Sequence, residues 1–320
     1  MTASDAKVGV YGGAALAAYG FGRSHPFGLD RHDAFWEALV LAGLEPRVKR
    51  LAPIAASRAE LALFHTSEYL DFVTARCAEG HGYLDGGDTP AQHGIDAAAA
   101  VVVGSTLDAV KRVFAGELAR AFVPIAGLHH GARGSAAGFC VYDDIGVAVE
   151  WLKQQGLTRI AYVDIDAHHG DGVFYGFEDD PTLLFADIHQ DGATIYPGTG
   201  AAHETGTGRA RGSKLNLPLP PGADDAAFLV AWAEVETYLS ALRPEFVLFQ
   251  CGADSIEGDP IAQLAYTPVA HAHATRRLCA IAATSGARGI VAMGGGGYNR
   301  ANLAAAWTGV VAGLLESPTR

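Results

Sequence analysis

Six short apolar runs, at residues 7–11, 121–126, 159–165, 183–188, 246–251 and 289–293, alternate with segments whose apolar residues recur at helical spacing. The clearest of these segments are residues 32–41, 69–77, 95–114, 145–155, 226–242, 269–285 and 301–315. A continuous apolar run suits a strand covered on both faces, and such strands separated by helices build a parallel sheet. The alternation therefore predicts a single α/β domain over residues 1–320, with a mostly parallel sheet and helices on both faces. Residues 192–222 hold many Gly and Pro residues and little periodicity, so long surface loops within that domain are expected there, not a boundary.

Hydrophobic residues make up 49% of the chain and charged residues 18%, enough apolar material for a large core. The formal net charge of −12 argues against a nucleic-acid partner, which needs a basic face. No apolar run reaches the roughly 18–20 residues that span a bilayer, so no membrane association is expected. The first residues, "MTASDAKVGVYGG", lack a basic region followed by a long apolar stretch, so no signal peptide is expected either. Cys77, Cys140, Cys251 and Cys279 form no CxxC pair. Cys140 and Cys251 sit in apolar runs, and buried free thiols in a reducing cytoplasm are the simplest reading of those two.

Four of the apolar runs end in groups that resist burial. Residues 121–126 lead into His129 and His130, and 159–165 into Asp164, Asp166, His168, His169 and Asp171. Residues 246–251 lead into Asp254, and 289–293 into "GGGGYN" with Tyr298. Ligands of open α/β sheets bind outside the carboxyl ends of the strands, so four strands would deliver these groups to one edge. In extended backbone Asp164, Asp166 and His168 share a face. Carboxylates and an imidazole so close repel or shift pKa unless a positive charge sits among them. A divalent metal held by Asp166, His168 and a remote Asp254 satisfies that need. Three protein ligands with one open position is the pattern of a catalytic zinc. Taken singly, each feature has a plainer explanation. Asp-x-His can close a turn, Asp254 can cap a helix, and the two histidines can be loop residues with ordinary hydrogen bonds. "GGGGYN" is not followed by the Lys-Ser/Thr of a P-loop, which sets phosphate aside.

Together the motifs resemble the zinc-dependent histone deacetylase superfamily, which includes acetoin-utilisation-type proteins and acetylpolyamine amidohydrolases. The resemblance rests on "GLHHG…GFC" (127–140), "VDIDAHHGDG" (163–172), "YPGTG" (196–200), "QCGADSIEGDP" (250–260) and "GGGGYN" (294–299). Weaker matches lie at 24–32, 64–73 and 86–95. It implies the arginase/deacetylase fold, a sheet of about eight strands, and one zinc per chain, with iron(II) as an alternative in the cell. By resemblance, Asp166, His168 and Asp254 hold the metal. His130 is the general base, oriented by Asp171, while His129 pairs with Asp164. Tyr298 donates its hydroxyl to the developing oxyanion, and glycines such as Gly296 let its loop approach the metal. Gly138, Phe139 and Tyr196 form a narrow channel for a lysine side chain, although either aromatic alone reads as core. Asp88 holds substrate backbone at the rim, and Arg31 lies beneath the site or, alternatively, on the surface at a helix start. Structural potassium is also implied. One ion lies among Asp164, Asp166, His168, Asp187 and Ile188, with Asp187 standing where many relatives have serine. A second lies among Phe177, Asp180, Leu183 and Ser213.

The expected substrate is an acyl-lysine, most simply acetyl-lysine, on a protein or peptide. Ile261 follows Pro260 where one polyamine-selective branch carries a glutamate, and the loop at 79–93 is short. An acetylpolyamine or other small acetylated amine is the alternative. An arginase-like ureohydrolase would need two manganese ions, and a non-catalytic acyl-lysine binder would not need the full set of groups. The Ala/Gly-rich composition suggests a bacterial protein, in which histones are not the physiological target. Nothing in the chain reports its oligomeric state.

Overall fold

The computed structural model describes residues 7–22 and 25–317. Residues 1–6, on which part of the leader reading rests, and Ser24, which opens the 24–32 match, lie outside the described residues. The strands are β1 (Val8–Tyr11), β2 (Lys49–Leu51), β3 (Arg120–Val123), β4 (Ile160–Asp164), β5 (Leu183–Gln190), β6 (Lys214–Leu219), β7 (Phe246–Gln250) and β8 (Ile290–Met293). They form one sheet in the order β2-β1-β3-β8-β7-β4-β5-β6, every pair parallel. The helices around it are α1 (Ala14–Ala17), α2 (Arg31–Leu41), α3 (Arg58–Leu61), α4 (Ser67–Glu79), α5 (Ile95–Phe114), α6 (Asp144–Gln154), α7 (Asp171–Gly176), α8 (Asp225–Leu242), α9 (Pro268–Ser285) and α10 (Arg300–Glu316).

The six continuous apolar runs are the six interior strands, and every residue of those strands is buried. Burial on both faces is what an unbroken apolar run signals. The two strands absent from the sequence reading are the two edges. β2 reads KRL, and β6 reads KLNLPL with only partial burial. An edge strand needs neither a continuous apolar run nor every N–H, so Pro218 is tolerated in β6. The expectation of loops throughout 192–222 is corrected to that extent. Three short helices, α1, α3 and α7, also lack the length for a periodic signal. Among the described residues no helix is long and apolar enough to cross a membrane. All four cysteines are free and buried.

The register sets the site. Val123 lies beside Met293, Met293 beside Gln250, Gln250 beside Asp164, and Asp164 beside Asp187. These residues make one row across β3, β8, β7, β4 and β5. Beyond that row the chain leaves the sheet from four adjacent strands at once. Trp307 of α10 packs its ring edge-on against Phe35 of α2 and Phe122 of β3, and its Nε1 donates to Cys251 O at 3.3 Å. Asn299 caps α10 by accepting from the Ala301 and Asn302 amides. The helix start that follows Tyr298 is thereby tied to the sheet.

Candidate active site

The turn after β3 is fixed by a buried acid. Asp144, at the start of α6, accepts the Leu128 amide at 2.8 Å and the Gly127 amide at 3.1 Å, and Thr106 donates to it at 2.7 Å. His129 and His130 follow, with ring centres 4.1 Å apart. Each is held by its own carboxylate: His129 Nδ1 lies 2.8 Å from Asp164 Oδ2, and His130 Nδ1 lies 2.6 Å from Asp171 Oδ1. Tyr162 also donates to Asp164, and Asp171 opens α7. The pairing expected from the sequence, His129 with Asp164 and His130 with Asp171, is the pairing found.

Asp166, His168 and Asp254 are all buried, and one ligand atom from each lies within 4.8 Å of the others. Gln250 Nε2 and the Gly296 amide both donate to Asp166 Oδ2 at 2.9 Å. The Ala167 amide donates to Asp254 Oδ1 at 2.9 Å, and Asp254 caps no helix. Its other oxygen, Oδ2, is buried and accepts no well-aligned hydrogen bond, and its near neighbour is His168 Nδ1 at 3.3 Å. Two buried carboxylates around one imidazole are costly to hold, and a cation is the group that would satisfy them. The donor set, two carboxylates and an imidazole, suits zinc or another first-row divalent ion. Gly296 belongs to the cradle: a Cβ there would stand 2.0 Å from Asp254 Oδ2.

Tyr298, Asp166, His168 and Gly296 line one cavity with His129 and His130. The Tyr298 amide donates to Asp259 Oδ2 at 2.8 Å. Arg31 lies beneath, wholly buried, and not on the surface. Its Nε donates to Gly297 O at 2.9 Å and its Nη2 to Gly295 O at 2.6 Å, while its guanidinium rests 4.0 Å above the Phe27 ring. The glycine loop is therefore pinned from below.

The two histidines are driven apart in proton affinity. Burial opposes a charge on His129, but Asp164 and Asp166 outweigh it and raise the imidazole to about 10. Burial, then the neighbouring His129 charge, hold His130 below its ordinary 6.5 against the pull of Asp171. Asp171 itself is lowered: burial opposes this, but His130 and the charge on His129 prevail. Burial pushes the Tyr298 phenol well above its usual range, with Asp254 adding to the effect. His168, in the same space, is likewise raised to about 10: burial opposes this, but Asp166 and Asp254 outweigh it, so that His130 is the one lowered imidazole beside two raised ones and a protonated phenol. Titratable neighbours pushed to opposite states mark acid and base assignments.

Of the remaining expected residues, Gly138 lines the same cavity and the others lie on loops around it. Gly138 has φ of +52°, and a Cβ would lie 2.4 Å from His130 Cδ2. Phe139 is also left-handed, with φ of +69°, a conformation rare for a bulky residue. Tyr19 donates to its carbonyl at 2.6 Å, and its amide donates to Thr89 Oγ1 at 3.0 Å. The Phe139 ring meets Tyr298 edge-on at 5.9 Å, and Tyr196 meets His130 at 5.1 Å. Asp88 accepts from Thr89 at 3.2 Å, and its carboxyl rises to about 6 through burial and the adjacent Asp85. Ile261 is half-buried, its amide donating to Asp259 Oδ1 at 3.0 Å, which places it one turn from the support of Tyr298.

The first expected potassium set clusters at the ends of β4 and β5. There Asp187 is engaged on both oxygens, by His189 Nδ1 at 2.8 Å and the Gly170 amide at 2.9 Å. The second set does not offer an open ring of oxygens, because the Lys214 ammonium donates to Asp180 O and Leu183 O. Gln250, Asp259, Asp144 and Tyr162 were not singled out from the sequence. Gln250 carried a signal, as the one polar residue of the FVLFQ strand; Asp259 sits within a quoted motif, and the other two had none.

A family model described as histone deacetylase domain matches residues 25–314. The chain is 35% identical over 289 residues to the acetoin utilization protein AcuC of Bacillus subtilis, covering 88% of this chain and 75% of that one. It is 36% identical over 255 residues to a probable deacetylase of Archaeoglobus fulgidus, covering 79% and 70%. Among solved structures, the HDA15 HD domain superposes with a TM-score of 0.90 at 28% identity, covering 98% of this chain and 91% of that one.

Proposed function

Because the chain belongs to the histone deacetylase family, we propose that this amidohydrolase removes acetyl groups from lysine side chains of proteins or peptides. The whole of residues 1–320 is read as one catalytic domain. The observation that carries the proposal is the convergence on one cavity of His129 paired with Asp164, His130 paired with Asp171, and Tyr298, beside Asp166, His168 and Asp254. Asp166, His168 and Asp254 would hold a single divalent ion, zinc or, in the cell, iron(II). Such an ion supplies Lewis acidity toward the amide carbonyl and toward attacking water. His130, held neutral, takes the proton of the attacking water and later returns it to the departing amine. Asp171 fixes its tautomer by accepting from Nδ1. His129, held as the imidazolium, offsets the buried carboxylates and favours the negative charge that develops on the substrate. Tyr298 donates to that charge from the opposite wall. One potassium ion among Asp164, Asp166, His168, Asp187 and Ile188 completes the proposed ion content.

The channel between Phe139 and Tyr196, closed to side chains at Gly138, suits unbranched methylenes, and Asp88 at the rim suits a peptide amide. The deciding experiment joins metal analysis to hydrolysis of a fluorogenic acetyl-lysine peptide, with and without chelator. One ion per chain and chelator-sensitive turnover is the expected result. One ion with no peptide turnover, but hydrolysis of acetylputrescine or acetylspermidine, would transfer the assignment to small amines. Two ions per chain would reject the single-metal assignment.

A further inference from the structure

Lys214, the first residue of β6, is buried, and its ammonium points back under the turn that joins α7 to β5. Nζ donates to Leu183 O at 2.8 Å, to Asp180 O at 2.9 Å and to Ser213 Oγ at 3.0 Å. The Ser213 hydroxyl proton is committed elsewhere, to Ala210 O at 2.7 Å, so Oγ accepts from the lysine. Three acceptors require three N–H groups, which an ammonium has and a neutral amine lacks. Burial brings the amine down to about 8 against the pull of Asp180 and Asp179, which leaves it charged at neutral pH.

These oxygens belong to three of the four residues that the family resemblance places around a second potassium ion. The other carbonyls of that set are also committed. Phe177 O accepts the Asp180 amide at 3.1 Å, and Ser213 O accepts the Tyr238 hydroxyl at 2.7 Å. A second cation already serves the same turn, since Lys153 Nζ pairs with Asp180 Oδ2 at 2.6 Å and sits 5.4 Å from the Phe177 ring centre. An added monovalent ion would meet the Lys214 ammonium where it has to sit, between Asp180 O and Leu183 O, so the residues present do not fit it. We propose that the Lys214 ammonium is a built-in cation that replaces the second potassium ion in this chain and holds the turn at 177–183 without any free ion. This assignment stands apart from the choice of substrate and is tested without turnover.

Crystals of the unmodified protein soaked in thallium(I) should give no anomalous peak in contact with Asp180 O and Leu183 O. A peak there would overturn the proposal. Lys214→Ala frees the three acceptors and opens space beside them. Its thermal midpoint in choline chloride should fall by roughly 5 °C and recover, saturably, as potassium chloride is added. Lys214→Met fills the space without a charge and should fall without that recovery. An identical potassium response in the unmodified protein and in Lys214→Ala would count against the lysine as the ion's replacement.

Discussion

At the scale of single residues, the proposed mechanism rests on two neighbouring histidines shifted in opposite directions. In the proposed mechanism the neutral form of His130 is the working one, and its pKa is held below 6.5 because burial and the His129 charge disfavour its cation. The midpoint of the acid limb of kcat/KM should therefore lie below pH 6.5. Asp171 pulls the His130 pKa upward, so Asp171→Asn should move that acid limb still lower while reducing the plateau; an upward shift in the pH profile would contradict the pairing. Tyr298→Phe removes one hydroxyl aimed at the cavity and leaves Asp166, His168 and Asp254 in place. Loss of roughly 10²–10³ in kcat with full metal content is expected. Kinetics alongside metal analysis checks it, and undiminished turnover would remove Tyr298 from the mechanism.

At the scale of elements, each strand end contributes a group, and the loops between them allow close approach. Gly296→Ala places a methyl 2.0 Å from Asp254 Oδ2, so divalent metal affinity should fall at least tenfold in a competition titration with chelator, ahead of any loss of folding. The interior strands were readable from sequence because strands buried on both faces must be apolar throughout. β2 and β6 were not, because an edge strand is recognised by its neighbour and not by its own residues. The same distinction runs through the site. Asp166, His168, Asp254 and the histidine pair stood out as polar groups following apolar runs. Gln250 and Asp144 act by hydrogen bonds to residues 84 and 16 positions away, and no local pattern encodes such partners. Lys214 was invisible for a further reason: at the start of an edge strand a lysine reads as solvated, and only the fold reveals the carbonyls it meets.

At the scale of the whole molecule, folding buries the carboxylates of Asp164, Asp166, Asp187 and Asp254 together. A bound divalent ion relieves part of that repulsion and binds only the folded chain. At one hundred times its Kd it should add about 2.7 kcal/mol, a rise of roughly 4 °C in thermal midpoint for a chain of this size. Scanning calorimetry with and without chelator checks this, and equal midpoints would argue that the cluster binds no ion. The position of β8 in the sheet has a consequence for biosynthesis. It is the last strand in sequence, yet it sits between β3 and β7. Until residues 290–293 leave the ribosome, the nascent chain can hold only two unjoined half-sheets, β2-β1-β3 and β7-β4-β5-β6. His129 and His130 ride on one half and the three metal-binding candidates on the other. Hydrolytic competence therefore waits for β8 to join the two halves, and no nascent chain still lacking that strand carries a finished centre.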